Sequence, residues 1–432
     1  MILVIIMVMV GMVLAFFRVT TELSGEEYIR GLLGREIMVS GTIAGDPEIE
    51  EGITKFRIEG LEFGEERIGA AGKIYVSVPQ NTELSREDKV TIEGKLENGF
   101  GTYSGSMYRP KVLKWERPEP GSWVLGLRNW FAERIMRLIP EPKARLGLSY
   151  LLGMKTGLSV EFEEKLRMVG LTHIVVASGA HLSILVEVAR KIFGRLSRMT
   201  GLIMSLLFVL FFMAVVGWTP SILRAGIMTI LTLIAWYFGR KFKAWRIILI
   251  VAAATLMMEP GFMIDMGWQL SFASYAGIMI LAPRMTGFFY GAKKPGFVGA
   301  TIITTLAATF MTLPIILYHY GMVSLISVVA NLLILPTLPY AMGLVFMTGM
   351  VAGVAFVEVI VSWIAQRVLD FHMMVVSLLG EMRQFLIEIP KYQGWVWGIY
   401  GAILGFIVCG FVWRVWLDRN LRRKVVELEE DN

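Results

Sequence analysis

One stretch of the sequence combines side chains that can act as a nucleophile and a base. In GLTHIVVASGAHLSILVEVAR, residues 170–190, His173, Ser178 and His181 interrupt an apolar run that reads as a membrane helix. Serine beside histidine is the pairing used in nucleophilic catalysis, where histidine takes the serine proton. However, Ser178 and His181 are only three residues apart, and no carboxylate is placed to orient the histidine. Covalent catalysis, packing between helices and a polar strip along a pore are all compatible with this stretch.

A second stretch, TPSILRAG, places one cation near a helix start. Thr219 followed by Pro220 is typical of a helix cap, so Arg224 is expected about one turn inside the helix. The guanidinium there either extends to the membrane interface or binds a phosphate. The sequence does not decide between these two roles of Arg224.

A third stretch, MIDMGWQLSFASYAG, mixes polar and aromatic side chains. Gln269 lies between Trp268 and Phe272, whose rings are suited to stacking on unpaired bases. Asp265 is expected to pair with Arg224 or with a capping amide, and with Ser271 it is assigned to a structural polar network.

A fourth stretch, TLPIILYHYG, carries His319 and is followed by Asn331 in an apolar segment. His173, His181 and His319 could in principle bind a metal together. Zinc sites are usually completed by cysteine or carboxylate ligands, and none is matched to these histidines. We therefore expect neither a metal nor another cofactor.

The composition indicates that these stretches lie in a membrane protein. Of 432 residues, 55% are hydrophobic and 18% are charged, with a mean hydropathy of +0.60. Repeated apolar runs of about 18 or more residues are typical of transmembrane helices. Cys409 is the only cysteine, so the chain forms no internal disulfide.

The pattern along the chain predicts five parts. They are an uncleaved membrane anchor at 1–19, a β domain at 20–118, interfacial amphipathic helices at 119–169, a polytopic membrane domain at 170–418 and a charged tail at 419–432. The β domain shows five alternating runs separated by turns, which favours a small barrel of the oligonucleotide-binding (OB) type over a small sandwich. It is acidic, which argues against binding polyanions by bulk charge.

Basic and non-basic connections alternate through the membrane part, and this sets the predicted orientation. The basic connections lie near 190–198, 240–246 and 284–294. The positive-inside rule puts them in the cytoplasm, together with both termini, and puts the β domain outside. The apolar segment 322–336 is too short to span, so we expect a re-entrant half-helix. The predicted fold is mostly α and polytopic, with this half-helix and an extracellular OB-like barrel.

Taken in order, the four stretches resemble the ComEC-type competence family, the inner-membrane channels of bacterial DNA uptake. The matching patterns are GLTHIVVASGAH, PSILRA, DMGWQLSF, TLPIILYHYG and NLLILP, within roughly 35–413. Many relatives add a metallo-β-lactamase-like nuclease domain. This sequence has no His-x-His-x-Asp-His cluster, so we expect no nuclease activity by that route and no enzyme.

The resemblance implies a channel that passes single-stranded DNA through the bacterial inner membrane during natural transformation. Its implied partners are single-stranded DNA, the lipid bilayer, a separate DNA receptor, a nuclease, and a cytoplasmic motor or single-strand-binding proteins. The path would be formed by His173, Ser178, His181, Arg224, Trp268, Gln269, Phe272, His319 and Asn331. On the β domain, the strand would be guided by Arg109, Lys111, Lys114 and Trp115.

Three other functions fit parts of the sequence. An intramembrane serine hydrolase would use Ser178 and His181. A small-solute transporter would show an inverted repeat of helices, and no convincing repeat is present. A structural scaffold would tolerate replacement of Arg224 and Gln269.

Overall fold

The computed structural model describes residues 28–388, except 51, 65–67, 71, 80–83, 101–102, 119–121, 155–156, 176–178, 218, 240–243 and 292. Four predictions fall outside these residues. They are the anchor at 1–19, the end of the polytopic membrane domain at 389–418, the charged tail at 419–432 and the position of Ser178.

Eight strands form the amino-terminal β domain. They are β1 (Glu36–Glu50), β2 (Ile53–Phe63), β3 (Ile68–Ala70), β4 (Ile74–Pro79), β5 (Lys89–Lys95), β6 (Glu97–Asn98), β7 (Gly105–Tyr108) and β8 (Lys111–Glu116). In β2, the side chains of Thr54, Phe56 and Ile58 are buried while the residues between them are more exposed. This alternation is the period of a strand with one face on a core. The five predicted runs correspond to β1, β2, β4, β5 and the β7–β8 segment.

The strands make one curled sheet in the order β6-β7-β4-β2-β1-β5-β8, with β3 paired to β2. β1 pairs antiparallel with both β2 and β5, whereas β4 and β7 pair in parallel. The register of β1 against β2 shifts between Ala44 and Glu48. Gly45 occupies this bulge with a left-handed φ of +84°, which glycine adopts without strain. The bulge bends β1 and turns Asp46 toward the helical part.

Fourteen helices occur among the described residues after the sheet. They are α1 (Trp123–Leu138), α2 (Lys143–Leu152), α3 (Val160–Met168), α4 (Thr172–Val175), α5 (Gly179–Phe193), α6 (Arg198–Val216), α7 (Pro220–Tyr237), α8 (Ala244–Met258), α9 (Met266–Ala276), α10 (Ala282–Tyr290), α11 (Phe297–Tyr320), α12 (Ser327–Ile334), α13 (Leu338–Val351) and α14 (Val357–Gly380). A 3-10 turn, Pro260–Ile264, precedes α9, and a π-helical turn, Gly277–Leu281, joins α9 to α10. The largest buried apolar cluster joins α1, α2 and α3 to α12, α13 and α14.

Three described helices are long and apolar enough to cross a membrane, namely α6, α11 and α14. The pair α12 and α13 passes the same test only when taken together, and it bends by 48°. Such a pair is either one broken span or a re-entrant loop. The first member ends at Ile334, two residues before Pro336, within the segment 322–336 for which the sequence predicted a half-helix.

The first stretch, for which the sequence predicted one long helix, is described on both sides of residues 176–178, which lie outside the described residues. Within the described residues it forms α4 and α5, and α5 has 15 residues. At about 1.5 Å per residue, α5 is about 22 Å long, which is less than the roughly 30 Å of a hydrocarbon core. The described helices of this stretch are therefore each too short to span.

Polar contacts between described residues fix the β domain to the helices. The buried guanidinium of Arg128 on α1 pairs with Asp46 at the β1 bulge. Lys73, before β4, pairs with Glu259, before the 3-10 turn. Arg86 Nη1 donates to the carbonyl of Val215 at 3.4 Å. These contacts hold the curled sheet against α1 and the ends of α6 and α8.

Candidate functional site

Arg224 lies one turn inside α7 and is almost completely buried. Thr219 caps this helix, because its hydroxyl accepts a hydrogen bond from the backbone N–H of Ile222 at 3.4 Å. Only 3% of Arg224 is exposed. Its Nη2 donates to the carbonyl of Ser221 at 3.4 Å, and its Nη1 has no hydrogen-bond partner among the described residues. A buried donor without a partner is costly, so this group is suited to an incoming acceptor.

An aromatic pair from α9 covers the Arg224 guanidinium. The guanidinium carbon lies 5.2 Å from the centroid of the Phe272 ring, within the range of a cation–π contact. The Phe272 and Trp268 rings lie 4.4 Å apart between centroids. Trp268 Nε1 donates to the hydroxyl of Thr255, which is buried on α8, at 3.0 Å. This hydrogen bond fixes the indole, and thereby the pair, against the neighbouring helix.

Asp265 and Gln269 shape the turn that leads into α9. Asp265 Oδ1 accepts a hydrogen bond from the backbone N–H of Trp268 at 2.7 Å, so Asp265 is the helix cap. Of the two partners expected for Asp265, the structure has the capping amide. Gln269 Nε2 donates to the carbonyl of Met263 at 2.9 Å, which closes the preceding 3-10 turn. Both polar groups therefore hold the backbone that presents the aromatic pair.

Two glycines bring neighbouring helices close to Arg224. A Cβ on Gly267 would lie 3.5 Å from Ser221 Oγ, so the starts of α7 and α9 are in contact. A Cβ on Gly179 would lie 3.5 Å from the Cβ of Ala225, so the start of α5 packs on α7. The first three sequence stretches therefore meet around Arg224.

The fourth stretch meets the other end of the first. Gly170 has a left-handed φ of +72°, and a Cβ there would lie 2.7 Å from the Cβ of Ser327 on α12. One turn further along α12, Asn331 is only 6% exposed, and its Oδ1 has no hydrogen-bond partner among the described residues. A buried amide oxygen without a partner is again a place where an incoming donor could bind.

The three histidines occupy different surroundings. His173 is exposed on α4, whereas His181 is fully buried on α5. His319 is partly exposed near the end of α11, with its ring edge-on to Tyr318 at 5.1 Å between centroids. In the part of the chain that the structure describes, no group of three or more His, Cys, Asp or Glu residues could hold a metal ion.

The residues selected on the β domain lie at the β8 end of the sheet. Arg109 sits at the break between β7 and β8 with a φ of 52°. Lys111 and Lys114 are exposed, and Lys114 forms a surface ion pair with Glu116. Trp115 is 39% exposed. Together these residues form a partly neutralised basic edge.

Comparison with known proteins identifies the family. Residues 150–416, more than half of the chain, match the family described as Competence protein. The chain belongs to this competence family. All four stretches lie within the matched residues, whereas the β domain precedes them. This family and the three long apolar helices indicate a membrane protein.

Two relatives of this competence protein cover parts of it. ComE operon protein 3 of Bacillus subtilis (strain 168) is 27% identical over 287 residues, which are 61% of this chain and 35% of that protein. An uncharacterized protein of Aquifex aeolicus (strain VF5) is 24% identical over 207 residues, 47% of each. The chain thus spans about a third of the first relative and about half of the second. No solved structure matches the chain.

Sequence reasoning missed two sets of residues in this competence protein. Thr255 carries no signal in the sequence, because the hydroxyl of a threonine in an apolar helix usually donates to a backbone carbonyl of the same helix. The Thr255 hydroxyl does so here, to the carbonyl of Val251 at 2.8 Å. An aromatic cluster on the β domain was also missed. Its signal is the repeated tyrosine in GKIYVSV and in GTYSGSMY.

Proposed function

We propose that this chain forms a channel that passes a single DNA strand through the bacterial inner membrane into the cytoplasm. One observation carries the proposal: the buried Arg224 guanidinium has an unsatisfied donor beside the Trp268–Phe272 pair, in a protein of the competence family. A guanidinium is suited to phosphate, and aromatic faces are suited to unpaired bases. No enzymatic step is needed for this role.

The charge of DNA explains why such groups are required. Each phosphate is an anion that cannot enter hydrocarbon without polar or cationic groups along its path. Arg224 would meet the phosphates near the outer mouth. The rest of the path would be formed by His173, Ser178, His181, Gln269, His319 and Asn331. The unsatisfied Asn331 oxygen supports its place in this set.

The β domain is proposed to be an OB-like barrel on the outer face of the membrane. An oligonucleotide-binding barrel is a five-stranded, partly open Greek-key barrel. β1 pairs with β2 and β5, and β4 pairs in parallel with β7. If β7 and β8 form one interrupted strand, its second half pairs with β5 and closes the barrel.

The proposed orientation follows the positive-inside rule, with both termini in the cytoplasm and α12 re-entrant from outside. This sequence contains no Gly-x-x-x-x-Gly-Lys-Ser/Thr loop for ATP. The force on the strand would therefore come from a cytoplasmic motor, from single-strand-binding proteins or from a gradient. A separate receptor and a nuclease would supply the single strand.

Replacing Arg224 tests the channel. Internalisation of a labelled strand is measured in cells that carry Arg224→Gln, Arg224→Lys or the control Arg198→Gln, at equal membrane abundance. Arg198 is an exposed arginine at the start of α6. We expect Arg224→Gln to lower uptake by about tenfold or more, since hydrogen bonds to charged groups contribute about 1.5–3 kcal/mol. Arg224→Lys should retain part of the wild-type uptake, and Arg198→Gln should retain most of it.

Normal uptake by Arg224→Gln would refute this assignment. The serine-hydrolase alternative makes a different prediction, because Ser178→Ala would abolish hydrolysis but only perturb a channel. Labelling by a serine-directed inhibitor that disappears in Ser178→Ala would overturn the view that this chain is not an enzyme.

A further inference from the structure

Four aromatic side chains form one contiguous cluster on the β domain, which we call the aromatic platform. Tyr75 on β4 is its centre. The Tyr75 ring lies 5.1 Å from Phe100, 5.5 Å from Tyr103 and 6.4 Å from Tyr108 between centroids. Phe100 and Tyr103 lie 5.2 Å apart. The four rings therefore touch in one continuous surface built from β4, β7 and the segment between β6 and β7.

The aromatic platform does not belong to the hydrophobic core. Ile74 and Val76 point into the core of the β domain, so the alternation of β4 turns Tyr75 to the outer face. Phe100 is 49% exposed and Tyr108 is 54% exposed. Exposed, contiguous aromatic surface is unusual on a soluble domain and marks a binding surface.

Cations lie beside these rings. Arg57 on β2 is the register partner of Tyr75, and Lys55 is the register partner of Ser77, which in turn pairs with Tyr108. Glu59 lies 3.7 Å from both Arg57 and Lys73, so two cations partly neutralise this carboxylate. The outer face thus presents aromatic rings with basic side chains alongside, the combination that binds single-stranded nucleic acids.

The aromatic platform adjoins the Arg224 site. The backbone N–H of Ser104 donates to the carbonyl of Lys73 at 2.9 Å. The side chain of Lys73 pairs with Glu259 and lies 5.9 Å from the centroid of the Phe262 ring. Glu259 and Phe262 belong to the turn that leads into Asp265 and the α9 aromatic pair. A strand on the platform would therefore lie next to the proposed outer mouth.

We propose that the aromatic platform binds a single DNA strand by stacking on its bases and delivers it to the Arg224 site. The inference rests on the proposed function and names the surface that first holds the strand. Its exposed rings, Phe100 and Tyr108, are different residues from the basic edge, whose exposed ring is Trp115. The interaction is with bases, while Lys55 and Arg57 balance phosphates.

The experiment separates base stacking from charge attraction. The full chain is placed in nanodiscs, and its binding of a fluorescent oligothymidine is measured by anisotropy. A strand of the same length without bases keeps the phosphates and removes the stacking. We expect Phe100→Ala and Tyr108→Ala each to weaken thymidine binding by about tenfold, as stacking contributions predict. Binding of the abasic strand should not change, and Phe100→Tyr should restore thymidine binding.

Tyr28→Ala is the matched control, since it also removes an exposed ring from the same domain. It should leave thymidine binding unchanged. Equal affinity of the wild type for both strands would overturn the proposal, as would weakened binding in Tyr28→Ala with normal binding in Phe100→Ala. Arg224→Gln distinguishes the two hypotheses. The Arg224→Gln variant should lose uptake of DNA but still bind oligothymidine at the aromatic platform. Normal uptake by this variant, with oligothymidine binding intact, would refute the channel proposal and leave the platform proposal standing.

Discussion

Arg128 and Asp46 form a two-point ion pair that joins the first long helix to the β domain. Arg128 Nη1 donates to Asp46 Oδ1 at 2.7 Å, and Nη2 donates to Oδ2. The Arg128 side chain is 2% exposed and that of Asp46 is 24% exposed. A guanidinium buried to this degree is tolerated only with its partner in place. The pair therefore fixes how the β domain sits over the helices.

Removing one partner of this pair should loosen the β domain. We expect Asp46→Ala to destabilise the folded chain by about 3 kcal/mol, because it leaves the Arg128 charge buried without its partner. Lys114→Ala removes a partner of the exposed Lys114–Glu116 pair and should cost less than about 1 kcal/mol. The loss of stability in each variant is measured by thermal unfolding in detergent and by the rate of proteolysis between the β domain and α1. Equal effects of the two substitutions would contradict the burial argument.

A steric prediction concerns the π-helical turn between α9 and α10. A Cβ on Gly277 would lie 2.4 Å from the carbonyl oxygen of Ala307 on α11, and backbone cannot yield easily there. Gly277→Ala should therefore destabilise the protein by about 1–3 kcal/mol, as overpacking does. Gly287, in α10, has no atom within 4 Å of its Cβ position. Gly287→Ala should be neutral or stabilise by up to about 1 kcal/mol. An unfolding midpoint that falls in both variants would contradict this assignment.

Local patterns predicted the elements better than the contacts between them. The alternation in β2 and the cap at Thr219 depend on neighbours in sequence, and both appear as expected. Arg128 lies in the segment 119–169, which the sequence predicts to form interfacial amphipathic helices with their charged side chains exposed. It is buried instead, because its partner is 82 positions away, across the β1 bulge. No periodicity within α1 contains that information.

In the candidate site, too, local features were predictable from the sequence and long-range contacts were not. Cap chemistry made an amide partner of Asp265 foreseeable, and the Trp268 N–H is that partner. The hydrogen bond of Gln269 to Met263 depends on a 3-10 turn that the sequence did not predict. The aromatic platform needs β4 and β7 side by side, although Tyr75 and Tyr108 are far apart along the chain. Their parallel pairing follows from the whole sheet.

A third prediction concerns a buried histidine at the bend between α12 and α13. His372 Nε2 lies 2.7 Å from Thr337 Oγ1, and Nδ1 lies 3.3 Å from the Tyr150 hydroxyl. Thr337 donates its own proton to the carbonyl of Ile334 at 3.0 Å. Its oxygen therefore accepts from Nε2–H, and Nδ1 accepts from Tyr150.

Replacing this histidine should weaken the bend more than replacing its partner. His372→Phe removes both hydrogen bonds and leaves the buried Tyr150 hydroxyl unsatisfied, so we expect a loss of about 2 kcal/mol. Tyr150→Phe removes one hydrogen bond together with its donor and should cost about 1 kcal/mol. The free energies of unfolding in mixed micelles measure both. A larger effect of Tyr150→Phe than of His372→Phe would show that the bend does not depend on His372.

The last prediction uses the ionisation of the aromatic platform. Burial raises the pKa of Tyr103 above its ordinary value of 10.0. The nearby Arg57 guanidinium opposes this shift, and the carboxylates of Glu48, Asp265 and Glu59 add to it. Burial likewise raises the pKa of Tyr75. The fold therefore favours the neutral phenols. Their contribution to stability is complete below pH 10 and is lost as the pH rises through the higher folded values.

Thymidine binding should consequently stay constant between about pH 7 and about pH 9, where both phenols are protonated. Ultraviolet absorbance of tyrosinate against pH measures the ionisation, and the difference between wild type and Tyr103→Phe isolates Tyr103. We expect this component to titrate above 10.0. Asp265→Asn should lower its midpoint, because that carboxylate disfavours the phenolate. A Tyr103 midpoint below pH 10 that does not change in Asp265→Asn would contradict this prediction. It would show that the Tyr103 ring lies in open solvent, away from the Asp265 carboxylate and the Arg224 site.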